Sequence, residues 1–355
     1  MPEFRTLKKG DIGVAKALWE EAFPEDAGEF SDWYFQNRFC PAQCYGLFAG
    51  ETLLSMGQVA QDALFVNGKT MPANFIRGVA TAKAFEGRGY ASLLLGKVLE
   101  ELALRGQEIS ILKTFIHPFY RRLGYEVYSC RSVQEVAAAQ NGDAVCTRYQ
   151  SIEEISELKL EQILDCYRAY LRGKSGYLWR SKSYFRQMLQ EALDVGGGIL
   201  LAVGEPVKGY CIAYPQNETL FAEEMVASCK EQIQAFERVA REMRLSFSYL
   251  SFEPGGEPDA MARAVCTKRL LEQTVCQGGA RIRVVDDIIK ENEGTWQIEA
   301  EGKKIFVKKV LGEPDICLTA GELSVLCLGG CLQKELPEKV ERLWRRTQTG
   351  IFEQY

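Results

Sequence analysis

The segment 76–95 constrains the fold more than any other stretch, because it predicts a strand, a glycine-rich turn and an amphipathic helix in succession. The turn contains Gly87, Arg88 and Gly89, and apolar residues at helical spacing begin at Tyr90. A helix N-terminus leaves several backbone N–H groups without partners, and glycines let the preceding turn present its own N–H groups. The segment therefore predicts an anion-binding turn that could hold a pyrophosphate.

A glycine turn before a helix is also typical of ordinary connections in which glycine only supplies a positive φ, so the following elements decide between the two interpretations. Residues 109–116 predict a short apolar strand, and Pro118 suits the first position of a helix. Residues 119–124 predict one helical turn that ends at a glycine before another strand. Upstream, Asp11 can cap a helix, and three strand-like stretches follow it.

This order of elements resembles the acyl-CoA-binding core of the Gcn5-related N-acetyltransferases, the GNAT superfamily. The resemblance implies acetyl-CoA as co-substrate, with the first strand's backbone along the pantetheine and the turn and helix start around the pyrophosphate. It also implies that Tyr120 faces the CoA sulfur. The implied cofactor-binding residues are Val79, Ala80, Thr81, Gly87, Arg88, Gly89, Tyr90, Ala91, Ser92, Phe115 and Ile116.

The sequence departs from the family pattern at Glu86, where most members carry Gln or Arg at the entrance of the loop. Two outcomes are open. If the backbone does most of the holding, Glu86 can point to solvent without effect. If its carboxylate points inward, it should lower the affinity for the phosphates.

The length of 355 residues suits two or three compact units and is too long for one acetyltransferase domain. Residues 1–135 predict the catalytic domain, and 137–143 read as a linker. Residues 145–270 predict helices and strands in an order similar to that of the first domain. No glycine occurs between Tyr210 and Pro254, which predicts a degenerate GNAT fold without a pyrophosphate loop. Residues 278–355 predict several strands and a helix that ends at a Gly-Gly pair.

The three-part plan resembles the enhanced intracellular survival (Eis) acetyltransferases, in which an active GNAT domain, a degenerate one and a sterol-carrier-like domain follow one another. The predicted fold class is therefore α/β (α+β), with tandem GNAT folds and a sterol-carrier-protein-like C-terminal domain. The resemblance implies Tyr120 as general acid and the terminal carboxylate of Tyr355 as general base. It further implies a homo-oligomer, with a hexamer as one form. The implied acceptor-binding residues are Glu25, Asp26, Trp33 and Tyr34.

Each of these roles has a competing interpretation in the sequence. His117, the only histidine, is a rival base beside the motif, or a structural residue before Pro118. Glu25 and Asp26 read equally well as solvated loop carboxylates. The last residues, 350–355, are apolar and aromatic enough to be buried, or they form a frayed tail.

Composition excludes several classes of protein. The 43 basic and 48 acidic residues give a net charge of −5, which offers no bulk attraction to nucleic acid or to an anionic membrane and suits a cationic partner. The 12 cysteines, without a secretion signal, read as reduced thiols in the cytoplasm. Cysteine pairs at 40 and 44 and at 327 and 331 lack a nearby histidine, so no metal is expected.

Together these features predict an acetyl-CoA-dependent N-acetyltransferase. It would transfer acetyl directly to primary amines of a cationic acceptor, whether an aminoglycoside, a polyamine or a lysine side chain. The alternative hypothesis is a non-catalytic scaffold that binds CoA or an apolar ligand, since a fold does not fix a function.

Overall fold

The computed structural model describes residues 2–138, 144–302 and 304–353, and it confirms the predicted α/β fold class. The terminal residue Tyr355 lies outside the described residues. In chain order, the N-terminal part contains β1 (Glu3–Thr6), α1 (Ile12–Ala22), α2 (Glu29–Asn37), β2 (Cys44–Ala49), β3 (Thr52–Val66), β4 (Lys69–Thr81), α3 (Tyr90–Leu104), β5 (Ile109–Lys113), α4 (His117–Arg121) and β6 (Glu126–Val136).

The helix after the glycine turn begins at the residue that the sequence predicts. α3 starts at Tyr90, and its buried residues recur at helical spacing from Leu94 to Leu102. This apolar face packs into a core with strands on both sides of the motif. The glycine turn is therefore held against the sheet by the helix that follows it.

The first helix of the middle part is α5 (Glu157–Tyr170). The side chain of Ser156 accepts the Lys159 N–H, so α5 begins one residue later and a short 3-10 turn precedes it. The elements of this part are β7 (Cys146–Tyr149), α5 (Glu157–Tyr170), β8 (Lys174–Ser175), β9 (Tyr177–Leu178), α6 (Lys182–Gln190), β10 (Ile199–Val203), β11 (Gly209–Gln216), β12 (Thr219–Val226), α7 (Lys230–Glu242), β13 (Ser246–Ser251) and β14 (Glu257–Ala264).

The C-terminal part contains a second sheet with the strand order β17-β16-β15-β18. Its pairs are antiparallel, except that β15 and β18 run parallel. The elements are α8 (Thr267–Thr274), β15 (Gly278–Val285), β16 (Gly294–Glu301), β17 (Lys304–Val310), β18 (Ile316–Thr319), α9 (Ala320–Cys327), α10 (Glu338–Glu341) and β19 (Gln348–Thr349).

Strands β6 and β14 each pair with strands of the other part and so join the N-terminal and middle parts. β14 lies between β5 and β6, and the far half of β6 pairs with β13. One continuous sheet therefore runs β1-β2-β3-β4-β5-β14-β6-β13-β12-β11-β10-β7, with β9 paired to β3. Backbone hydrogen bonds thus hold the two predicted GNAT units to one another. The boundaries 1–135, 145–270 and 278–355 stay predictions.

The C-terminal part packs directly on the first. A Cβ added to Gly321 in α9 would lie 2.6 Å from the backbone nitrogen of Glu126, so only glycine permits this approach. Trp296, Ile298 and Leu326 fill the interior of this part, in a core that continues into β14. None of the described helices is long and apolar enough to cross a membrane.

Candidate active site

The motif strand β4 opens away from β5 before it ends. The parallel pairing of the two strands stops at Ile76 and Leu112, while β4 continues to Thr81. A bulge follows at Gly78, whose φ is +58°, and a Cβ there would lie 2.3 Å from the Trp19 ring. On its other edge, Thr81 still pairs with β3 through Ser55.

The opening leaves one edge of the strand without a neighbour. Within the described residues, no strand pairs with Val79, Ala80 and Thr81 on the β5 side. Their backbone N–H and C=O groups on that side therefore need another partner. An extended amide chain such as pantetheine supplies matching groups.

The turn before α3 has the geometry of an anion cradle. Gly87 and Gly89 have φ values of +72° and +80°, and a Cβ at either position would meet nothing within 4 Å. The hydrogen bond from Leu93 N to Gly89 O, at 3.0 Å, is the one that spans the helix start. The N–H groups of Tyr90, Ala91 and Ser92 precede it, and they are available for a ligand.

The side chains around the cradle leave it open. The first turn of α3 carries no acidic residue and no side-chain cap. Arg88 is exposed, and its guanidinium lies 5.4 Å from the centroid of the Phe85 ring. Glu86 is also exposed, which corresponds to the outcome in which its carboxylate stays in solvent.

Tyr120 lies on the short helix α4 and is 9% exposed. Its ring contacts Phe119 and Tyr125 edge-on, with centroids 4.9 and 6.0 Å apart. Burial raises the pKa of Tyr120 to about 12. The phenol therefore stays protonated across neutral pH, as a proton donor must.

A cavity of about 880 Å³ lies between the N-terminal part, the middle part and the C-terminal segment. Phe115, in the exposed loop that joins β5 to α4, lines it, and the neighbouring Ile116 is exposed. Its charged lining residues are the acidic Asp26, Glu191, Glu223, Glu224, Glu257 and Glu353 and the basic Arg38, Arg131 and Arg180. Its aromatic lining residues are Phe30, Phe115, Tyr184, Tyr214, Phe221 and Phe352. Carboxylates thus outnumber guanidinium groups in this lining, so the cavity suits a cation.

The four predicted acceptor residues do not share one environment. Asp26 lines the cavity; burial raises its pKa, the Glu25 carboxylate adds to the rise, and a hydrogen bond from Trp19 opposes it. Glu25 is exposed, and Trp33 is partly buried. Tyr34 lies in the aromatic core behind the cavity, and its hydroxyl donates to Gln58 Oε1 at 3.1 Å.

The C-terminal segment, residues 348–353, is partly buried at its start and buried from Gly350 to Glu353. Gln348 and Thr349 form β19 beside β8. A Cβ on Gly350 would lie 2.5 Å from the Tyr177 hydroxyl oxygen, so the chain passes very close to the middle part. Phe352 and Glu353 are 5% and 6% exposed, and both line the cavity. Residues 350–353 are therefore not a frayed tail.

A buried arginine fixes the end of this segment. Arg180 is fully buried and donates to both oxygens of Glu224 at 2.6 and 2.7 Å. Its Nε donates to Glu353 Oε1 at 2.7 Å. Glu224 also accepts a hydrogen bond from Tyr210. Sequence reasoning missed this clamp, although Arg180 in the apolar run Tyr177-Leu-Trp-Arg180 was a detectable signal of a buried charge.

His117, the rival base, lies outside the cavity lining. Burial lowers its pKa, although a contact with Asp259 opposes the shift. Its Nε2 atom is buried and has no hydrogen-bond partner within the described part of the chain. Burial therefore favours the neutral form of the His117 imidazole.

In the middle part, α7 begins at the position that corresponds to the start of α3. The side chain of Gln232, a residue of α7, occupies this helix start. The Ser228 N–H donates to Gln232 Oε1 at 2.7 Å, and Gln232 Nε2 donates to the Lys208 carbonyl at 3.1 Å. A Cβ on Gly209 would lie 2.8 Å from Gln232 Oε1. This helix start therefore offers no open cradle for a phosphate. Across residues 2–138, 144–302 and 304–353, no group of three or more His, Cys, Asp or Glu side chains is placed to hold a metal ion.

Known domain families account for both ends of the chain. Residues 3–128 match the acetyltransferase (GNAT) domain. The N-terminal part of the chain is therefore a GNAT acetyltransferase domain. Residues 266–342 match the sterol carrier protein domain, as predicted for the C-terminal part. No curated protein matches the chain.

Solved structures share the fold of the chain over its whole length. A probable N-acyltransferase of unknown function from Enterococcus faecalis aligns with a TM-score of 0.81 at 19% identity, and each chain is covered to 100%. A GCN5-related N-acetyltransferase from Anabaena variabilis gives 0.81 at 16% identity, with both chains covered to 100%. Eis1 from Mycobacterium abscessus gives 0.73 at 16% identity, again with both chains covered to 100%. The three-part arrangement is thus an architecture that this chain shares with them.

Proposed function

We propose that this chain transfers the acetyl group of acetyl-CoA directly to a primary amine of a cationic acceptor. The observation that carries the proposal is the position of Phe115, which follows the strand β5 from which β4 diverges and also lines the acidic cavity. The open edge of β4 and the start of α3 form a cofactor cradle, and Phe115, just beyond β5, belongs to the wall of the acidic cavity. An acyl donor in the cradle and an amine in the cavity would therefore face each other.

The proposed cofactor contacts follow from the backbone. Val79, Ala80 and Thr81 would bond the pantetheine amides, while residues 87–92 would hold the pyrophosphate with main-chain N–H groups. Arg88 adds a cation at the rim. Phe115 and Ile116 would contact the donor where the two sites meet.

The proposed chemistry is one acyl transfer without a covalent enzyme intermediate. The amine nitrogen forms a bond to the acetyl carbon, and the C–S bond breaks. A phenol of pKa about 12 is a weaker acid than a thiol of roughly 8.5, so we propose that Tyr120 donates its proton as the sulfur leaves rather than afterwards. Before the attack, the substrate ammonium would lose one proton to the terminal carboxylate of Tyr355. The second proton, which the nitrogen loses as the amide forms, would restore the Tyr120 phenol.

The assignment of Tyr355 is supported by the path of the residues before it. Phe352 and Glu353 already line the cavity, and Tyr355 is two positions further along the chain. An α-carboxylate in water has a reference pKa of about 3.5, so its use as a base would require desolvation or a water relay.

The proposed acceptor carries several positive charges, as an aminoglycoside, a polyamine or a lysine-bearing peptide does. The excess of carboxylates in the cavity and its aromatic walls support this class. The homo-oligomeric state and the cytoplasmic location stay predictions.

The test is steady-state release of CoA thiol with a panel of amines that differ in charge. The wild type should acetylate polycationic amines, and Tyr120→Phe should keep CoA affinity while it loses turnover. CoA binding without turnover against any amine would instead support the scaffold hypothesis.

A further inference from the structure

The middle part repeats the bulge of the motif strand but changes its residues. In β4, parallel pairing with β5 ends at Ile76 and the bulge follows at Gly78. In β12, parallel pairing with β13 ends at Ala222, and a bulge follows because Ile212 pairs with Glu224 while Ala213 pairs with Ala222. Glu223 is therefore the extra residue of this bulge.

A bulge changes the direction of neighbouring side chains. Successive residues of a regular strand point to opposite faces, whereas a bulge interrupts this alternation. Glu223 and Glu224 accordingly both line the cavity. In the first domain, the bulge of β4 leaves a strand edge free for the proposed cofactor. The equivalent bulge of β12 in the second domain places two carboxylates in the cavity lining.

Only one of these two carboxylates is used inside the protein. Glu224 binds Arg180 and Tyr210. The Glu223 carboxylate is partly buried and makes no hydrogen bond or ion pair with any described residue. Burial raises the pKa of Glu223, while the charges of Lys113 and Arg131 oppose the rise. A cation that enters the cavity would compensate this carboxylate.

A second acceptor atom in the same cavity also lacks a partner. Glu353 is 6% exposed, and Arg180 occupies its Oε1 atom at 2.7 Å. Its Oε2 atom is buried and has no hydrogen-bond partner in the described chain. Buried carboxylate oxygens are normally paired, so this oxygen points to a missing donor.

The ammonium of Lys113 interacts electrostatically with Glu223 and Glu353 but forms a hydrogen bond with neither carboxylate. Its charge acts on Glu223, and Glu353 acts on it in turn. Its ammonium is already engaged, at 3.4 Å from Asp259 Oδ1 and 3.4 Å from the Ile351 carbonyl. The two free acceptors therefore remain for a ligand.

We propose that Glu223 and the Oε2 atom of Glu353 form a subsite for a second ammonium group of the acceptor. The inference rests on the proposed function in that the acceptor is an amine. It gives the degenerate domain a role in acceptor selection: a residue of that domain and a residue of the C-terminal segment would bind one charge together, away from the nitrogen that is acetylated.

The test uses two amines of equal length, cadaverine with two ammonium groups and n-pentylamine with one. Glu223→Gln keeps the size of the side chain, and no described contact of the carboxylate is lost. Glu218→Gln is the matched control, because Glu218 is an exposed carboxylate just before β12 and lies outside the cavity lining. In Glu223→Gln, KM for cadaverine should rise about 10- to 100-fold, as expected for loss of one charge-assisted hydrogen bond, with little change in kcat. KM for n-pentylamine should not change, and Glu218→Gln should behave as the wild type.

Binding without turnover separates this proposal from the proposed function. Calorimetry of cadaverine should give a Kd that rises by the same factor in Glu223→Gln. If the wild type acetylates neither amine but this difference in Kd persists, the subsite stands and the transfer activity falls. Equal Kd values for the two proteins, or no detectable cadaverine binding to the wild type, would overturn the subsite.

Discussion

Arg180 offers the sharpest test of how the C-terminal segment is held. Its guanidinium makes three hydrogen bonds of 2.6–2.7 Å, two to Glu224 and one to Glu353, and all three side chains are buried. Arg180→Met keeps a long apolar side chain but leaves two buried carboxylates without their cation. Removing one partner of a buried ion pair costs about 3–5 kcal/mol.

The two carboxylates should respond differently to this change. Glu224 lies within β12 and cannot leave, so the free energy of unfolding should fall by an amount in that range. Glu353 lies near the chain end, and the segment can release it by exposing Phe352, which costs about 1.5–3 kcal/mol. Because release costs less than a buried unpaired charge, we expect the C-terminal segment to undock in Arg180→Met.

Two measurements check this expectation. Urea unfolding followed by tryptophan fluorescence reports the global loss of stability, and digestion with carboxypeptidase followed by mass spectrometry reports release of the segment. The control is Arg180→Met with Glu224→Gln and Glu353→Gln, in which no buried charge remains. This triple variant should recover most of the stability, since neutral replacements of buried ion pairs are often tolerated.

The effect of pH has a defined sign. Burial raises the pKa of Glu353 in the folded protein above its unfolded value, although Arg180 opposes the rise. The ionised carboxylate therefore opposes docking above the folded pKa, and this penalty disappears as the pH falls through it. The defect of Arg180→Met should be largest near about pH 8 and smaller near about pH 5. Wild-type resistance to carboxypeptidase in Arg180→Met at the higher pH would refute the reasoning.

Three further predictions concern the reaction. Gly89→Glu should weaken CoA binding sharply in calorimetry, because φ is +80° at this position and the new charge enters the cradle. Glu86→Gln should leave CoA binding unchanged. Two equivalent CoA sites per chain would contradict the interpretation that Gln232 fills the corresponding helix start in the middle part. Tyr120→Phe should lower kcat about 10²–10⁴-fold with unchanged CoA affinity, and an unchanged rate of the chemical step would remove Tyr120 from the mechanism. Residues added after Tyr355 should abolish transfer but leave CoA binding intact, while Tyr355→Ala should be milder; full activity of a C-terminally tagged enzyme would exclude the terminal carboxylate as base.

The sequence by itself determined the local features of the cofactor cradle. Gly87 and Gly89 both adopt positive φ, and α3 begins at Tyr90, as the pattern of glycines and apolar residues predicts. These properties depend on residues a few positions apart, which is the range over which backbone sterics and helical periodicity act. The order of elements also predicted the GNAT domain and the sterol carrier protein domain that the known families confirm.

Only the tertiary structure brought the acceptor side together. The crossing of β6 and β14, the clamp between Arg180 and Glu353, and the unpaired Glu223 join parts of the chain that no local pattern connects. Arg180 and Glu353 are 173 positions apart, and neither lies in a motif. In the sequence a glutamate on a strand reads as a solvated side chain, because its burial and its partners depend on which distant element covers it. Periodicity and spacing could therefore predict the glycine turn and the helix start of the proposed cofactor cradle, whereas the proposed acceptor cavity required the packing of all three parts.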